Sequence, residues 1–135
     1  MGAWGIGTFE NDSAADWLAD LPAALPQTLG LTFRPVVAIE TDLYLEEPDA
    51  SEALAAAEVV AAMRGHPGEA VANRPEVGAW AQEHAGWLQP DLVRDALAAV
   101  DRIRSSSELR DLWAESQEYE SWLAVLADLR GRLQA

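Results

Sequence analysis

Residues 49–64, DASEALAAAEVVAAMR, decide how this chain reads. Ala and Leu are strong helix formers because they lose little side-chain entropy in a helix. Ala53, Leu54, Ala57, Val60 and Ala61 return at the helical period, and Gly65, Pro67 and Gly68 follow the segment. A Gly just past the last turn supplies a left-handed stop, so the spacing predicts a helix over 49–64. With so many small residues, neighbouring helices can come close, and the helix is expected at the centre of the domain.

Working outward, the same period recurs on both sides. Asn11, Asp12 and Ser13 offer cap residues for a helix over 12–21, whose apolar face is Ala14, Trp17, Leu18 and Leu21. Pro22 and Pro26 end it. Pro75 opens a helix over 75–87 and Pro90 opens another over 90–105, where Leu92, Val93, Ala96, Leu97, Val100 and Ile103 share one side. Ser107 caps a short helix over 108–115. The last helix, 117–133, buries Tyr119, Trp122, Leu123, Leu126, Leu129 and Leu133. Residues 65–74 read as a loop.

Residues 27–47 are the least regular. Leu29, Leu31 and Phe33 alternate, which predicts extended chain, and Pro35 suits the first turn of a helix reaching Leu43. A short strand over 36–39 competes with that helix. Residues 1–10 contain three Gly with Trp4 and Phe9, the pattern of an extended arm whose aromatics pack on a core. The reading is therefore all-α: a compact single-domain bundle over 1–135, of about six to seven helices, with residues 1–10 as an extended N-terminal arm.

Composition narrows the function classes. The chain has 135 residues, half of them hydrophobic, enough to build a core. Its formal net charge is −14, a field that repels nucleic-acid phosphates and anionic lipid surfaces. The nine basic residues are all Arg. The absence of Cys removes disulfides, thiolate zinc sites and cysteine nucleophiles. No apolar run approaches a membrane span, and the start lacks the basic and long apolar regions of a secretory signal, so a cytoplasmic location is the default.

Three segments resemble a known family. Gly2-Ala3-Trp4-Gly5 with Phe9-Glu10-Asn11-Asp12 and Ala15-Asp16-Trp17-Leu18 looks like the start of the bacterial family catalogued as domain of unknown function 4259. The likeness continues at Ala56-Ala57-Glu58-Val59-Val60-Ala61-Ala62 and at Ser107-Glu108-Leu109-Arg110-Asp111-Leu112-Trp113. The resemblance implies that the arm is part of the domain. It brings no activity, ligand or catalytic residue with it.

The candidate binding residues are Trp4, Glu10, Asp12, Asp16, Asp20 and Glu58. Asp12, Asp16 and Asp20 stand at i, i+4 and i+8, a carboxylate stripe along one helix face with a repeat of about 6 Å. Trp4 and Glu10 flank it from the arm, where anchoring and capping explain the same residue types. Glu58 sits in the most apolar helix and must be paired, hydrogen-bonded or protonated. Arg34, Arg64 and Arg110 are candidate partners. Glu40, Asp42, Glu46, Glu47 and Asp49 surround Tyr44 without EF-hand spacing and read as a solvated acidic loop. His66 and His84 form no H-E-x-x-H pair, and neither a G-x-S-x-G nor a phosphate-binding loop is present. No catalytic residue, metal ligand or cofactor is assigned.

Three function classes follow. The first is a non-enzymatic acidic interaction domain of the immunity or antitoxin type, binding a basic partner protein. The second is a self-associating module, a homodimer using some of the six Trp. The third is a small-molecule or metal-dependent enzyme centred on Glu58, whose mark would be a pocket at that residue.

Overall fold

In the computed structural model the described residues are 5–38 and 43–135, and they form eight α-helices joined by short turns. The helices are α1 (Asp12–Asp20), α2 (Thr28–Val37), α3 (Glu47–Met63), α4 (Glu69–Ala72), α5 (Pro75–His84), α6 (Pro90–Ser105), α7 (Glu108–Ala114) and α8 (Tyr119–Gln134). Among the described residues there is no strand, so the all-α reading holds, and the helix number slightly exceeds the six or seven expected.

The starts of these helices have local causes. Asn11 Oδ1 accepts the amide of Ala14 at 2.8 Å, and Ser107 Oγ accepts that of Arg110 at 3.0 Å. Each such cap is worth about 1 kcal/mol. Pro48, Pro75 and Pro90 occupy first-turn positions, where a missing N–H costs nothing. Ser107 also donates to the Ile103 carbonyl at 2.8 Å, so one buried hydroxyl closes α6 and opens α7. The stop at Gly65 is as expected. Its φ is +88°, and the amide of His66 reaches back to the Ala61 carbonyl at 2.9 Å.

α3 is the axis of the molecule. From Ala50 to Met63 only Glu52 escapes full burial. A helix apolar on every side must be surrounded, and α1, α2, α5, α6, α7 and α8 all pack on it. Buried Ala at 53, 55, 56, 57 and 61 lets those neighbours approach the backbone. α6 shows the opposite arrangement, with Leu92, Ala96, Ala99, Val100 and Ile103 inside and the other face polar. Trp17 donates its indole N–H to Thr32 at 3.0 Å, tying α1 to α2.

Two expectations are corrected. The stretch read as extended at 29–33 with a helix beginning at Pro35 is one helix, α2, in which Pro35 lies in the last turn. Leu29, Phe33 and Val36 are its buried side, spaced i, i+4, i+7, while Leu31 is 55% exposed. The odd-position alternation was compatible with a strand only because Leu31 happens to be apolar. Pro35 can offer no amide to the Leu31 carbonyl, and the helix ends two residues later. The competing strand over 36–39 is also overturned, because Val36 and Val37 are the last residues of α2; its remaining residue Ile39 and the far end of the predicted helix, 39–42, lie outside the described residues. The second correction is in the 65–74 loop, which contains the single turn α4.

Within the arm, Trp4 lies outside the described residues. Residues 5–10 pass through bends and turns and bury Thr8 and Phe9 against the helices.

Candidate functional site

Glu58 is the one carboxylate that α3 carries into the interior; it is 2% exposed. Its partner is Arg132 of α8, and none of the three arginines expected from the sequence. The contact is bidentate: Arg132 Nη2 donates to Glu58 Oε1 at 3.0 Å and Nη1 to Oε2 at 3.1 Å. Arg132 Nε donates to Asp128 Oδ2 at 2.8 Å, one turn earlier on α8, and Nη1 also reaches the His66 carbonyl at 3.4 Å. Burial works to lower the pKa of this guanidinium, but the hydrogen bonds and charges of Glu58 and Asp128 outweigh it and hold the pKa above its ordinary value. Gly68 makes the approach possible. A Cβ there would stand 2.6 Å from the centre of the guanidinium.

The ion pair forms part of the wall of a cleft of about 890 Å³ between the arm, the α3–α5 connection and α8. The arm contributes Ile6, Gly7, Thr8, Phe9 and Glu10; the connection contributes Gly68, Glu69, Asn73 and Arg74; α8 contributes Ala124, Val125 and Asp128. Glu10 folds back on its own arm, accepting the Gly7 amide at 3.1 Å while its own amide donates to the Gly7 carbonyl at 3.0 Å. A pocket at Glu58 was the mark set for the enzyme class. Both Glu58 oxygens, however, accept from Arg132, which is the geometry of a structural ion pair.

The aspartate stripe stands elsewhere. Asp12, Asp16 and Asp20 are all exposed on the outer side of α1. The fold adds a neighbour that the sequence did not group with them, Glu52 of α3. Its carboxyl is pushed above the usual range, first by burial and then by the charges of Asp49, Glu47 and Asp16. Among the described residues Asp16, Asp20, Asp49 and Glu52 make no ion pair; cations engage other acids, as in Arg130 with Asp101 and Arg94 with Asp91. The cluster read as an acidic loop is partly the first turn of α3, where Glu47 and Asp49 favour the positive end of the helix dipole. Glu40 and Asp42 lie outside the described residues.

The remaining candidates are placed plainly. His84 Nδ1 is 2.8 Å from the Trp80 carbonyl and its ring lies 4.2 Å from the Trp80 ring, so it serves the end of α5. His66 is exposed. Among the described residues no three His, Asp or Glu side chains are grouped to hold a metal ion, and no helix is long and apolar enough to cross a membrane. The five described tryptophans are buried or half-buried and so form no exposed aromatic face.

Sequence reasoning missed Arg132, Gly68, Asn73 and Arg74. A signal existed only for Arg132: Asp128 and Arg132 are spaced i, i+4 and sit between Leu126, Leu129 and Leu133, so the pair had to border the buried face.

The sequence model of the family described as Domain of unknown function (DUF4259) matches residues 2–125. The chain belongs to this family. No curated protein and no solved structure matches it. The matched span includes the arm, the stripe and Glu58, while Arg132 lies beyond it. The DUF4259 description assigns no activity.

Proposed function

We propose that this DUF4259 domain is a non-enzymatic interaction domain of the immunity or antitoxin type, which binds a basic partner protein through the acidic face of α1 and the start of α3. One observation supports it above others: α1 and α3 bring Asp16 and Glu52 together beside Asp49 with no cation paired to them among the described residues. A fold gains nothing from leaving like charges unpaired on one face, and a cationic surface docked there relieves the repulsion. Trp4 is a candidate contact from the sequence alone, whereas Glu10 lines the separate cleft beside Glu58.

The experiment compares the chain with the Asp12→Asn, Asp16→Asn, Asp20→Asn triple variant. The immobilised chain retains a basic protein at low salt and releases it as salt rises past about 0.15 M, while the variant retains at least tenfold less. Equal capture by the variant, or capture indifferent to salt, overturns the proposal.

The repulsion has a sign that can be checked without the partner. Glu52 titrates above its unfolded value, so the native state binds more protons, and stability falls as pH rises from the ordinary glutamate range through the raised pKa. Glu52→Gln is expected to raise the thermal midpoint slightly near pH 7 and to leave it unchanged near pH 4, by differential scanning calorimetry. A lower midpoint near neutral pH would mean that Glu52 is favourably placed.

The self-association reading moves from tryptophan to α2. Leu31 and Val37 are exposed there, with Leu25 just before the helix. Light scattering over a concentration series decides it, since a strict monomer leaves that surface without a second copy.

A further inference from the structure

The cleft beside Glu58 contains more than the ion pair. Neither the Arg74 guanidinium nor the Asn73 side-chain amide has a partner among the described residues. Thr8 also contributes to the cleft wall, 5% exposed, but its Oγ1 is sealed inside and is not offered to the cavity. The Arg74 and Asn73 side chains thus offer donors in one cavity whose volume lies within the range of about 300–1,000 Å³ typical of small-molecule sites.

The charges restrict the ligand. Glu10, Glu58, Glu69 and Asp128 line the cleft against Arg74 and Arg132. After Arg132 is matched with its two acids, a simple anion would still meet Glu10 and Glu69. A simple cation would leave Arg74 and Asn73 without acceptors. A ligand with one charge of each sign satisfies both sets. Ile6, Phe9, Pro67 and Val125 give its body an apolar surface.

We propose that the cleft binds a small zwitterion, a free α-amino acid with a large apolar side chain, its carboxylate toward Arg74 and Asn73 and its ammonium toward Glu10 and Glu69. The site is separate from the acidic face of α1 and stands or falls without it.

The test uses the full chain labelled with ¹⁵N and three probes: L-phenylalanine, phenethylamine, which lacks the carboxylate, and 3-phenylpropionate, which lacks the ammonium. L-phenylalanine produces saturable amide shifts at Gly7, Thr8, Asn73 and Arg74 with a dissociation constant of about 1 mM or below. Both one-charge probes bind at least tenfold more weakly. Arg74→Ala weakens L-phenylalanine at least tenfold with the rest of the spectrum largely unchanged, since the Arg74 guanidinium makes no hydrogen bond or ion pair among the described residues. Asn73→Ala gives a smaller loss at the same site. No saturable shift up to about 10 mM, equal binding of either one-charge probe, or undiminished binding by Arg74→Ala overturns the proposal.

Discussion

Arg132→Met lowers the stability of the fold by about 3 kcal/mol, seen in chemical denaturation as a lower midpoint and in thermal unfolding as a loss of about 10 °C. The loss does not measure the attraction between Arg132 and Glu58. It measures what remains after the change: Glu58 is 2% exposed, and its two oxygens lose both donors at once. A second change identifies the cause. Adding Glu58→Met removes the stranded carboxylate, and the double variant returns to within about 1 kcal/mol of the parent, because two apolar side chains of similar length fill the same space without a desolvation cost. The exposed pair Arg94–Asp91 is the control, and Arg94→Met costs well under 1 kcal/mol. If Arg132→Met leaves the midpoint in place, the ion pair is not what closes α8 onto α3.

The second large effect belongs to the smallest side chains. Ala57→Leu, in the middle of α3, costs about 3 kcal/mol by overpacking. Leu is nearly as good a helix former as Ala, so propensity contributes almost nothing to the loss. The cause is room: Ala57 is fully buried, in a helix enclosed by its neighbours, and the added atoms must displace one of them. Ala98→Leu on the exposed face of α6 is the matched control and stays within about 0.5 kcal/mol of the parent. A similar small change at both positions, in urea denaturation, would show that α3 is loosely packed.

These two effects also mark where the sequence was informative. The Ala-rich run at 49–64 announced a central helix, and the alanines are what make it central. The cap at Asn11, the prolines at 75 and 90, the stop at Gly65 and the hinge at Ser107 are local devices, set by a few neighbouring residues and so visible in one dimension. α2 was misjudged because a three-residue alternation fits two periods equally, and the choice between them lay with its packing on α6 and α3. The site was less visible still. Glu58 announced itself as a charge in an apolar helix, but its partner lies 74 residues away. The spacing of Arg132 from Asp128 places it at the edge of the buried face of α8 but does not pair it with Glu58, and Arg64, nearer in the chain, donates instead to Ala135. The grouping of Glu52 with Asp16 joins two helices, and the cleft joins three segments, so both exist only after folding.

The position of α8 has a consequence for how the chain is made. Leu129 and Leu133 are fully buried and Arg132 supplies the counter-charge to Glu58, so residues 129–133 complete a core begun by helices formed much earlier. A ribosome delivers them last of these elements. Until Leu133 has left the exit tunnel, α3 presents an open apolar side with an unmatched carboxylate, and the growing chain is at its most adhesive. Synthesis and folding are therefore ordered here: the helices can form as they emerge, but the interior closes only after translation has passed the last turn of α8.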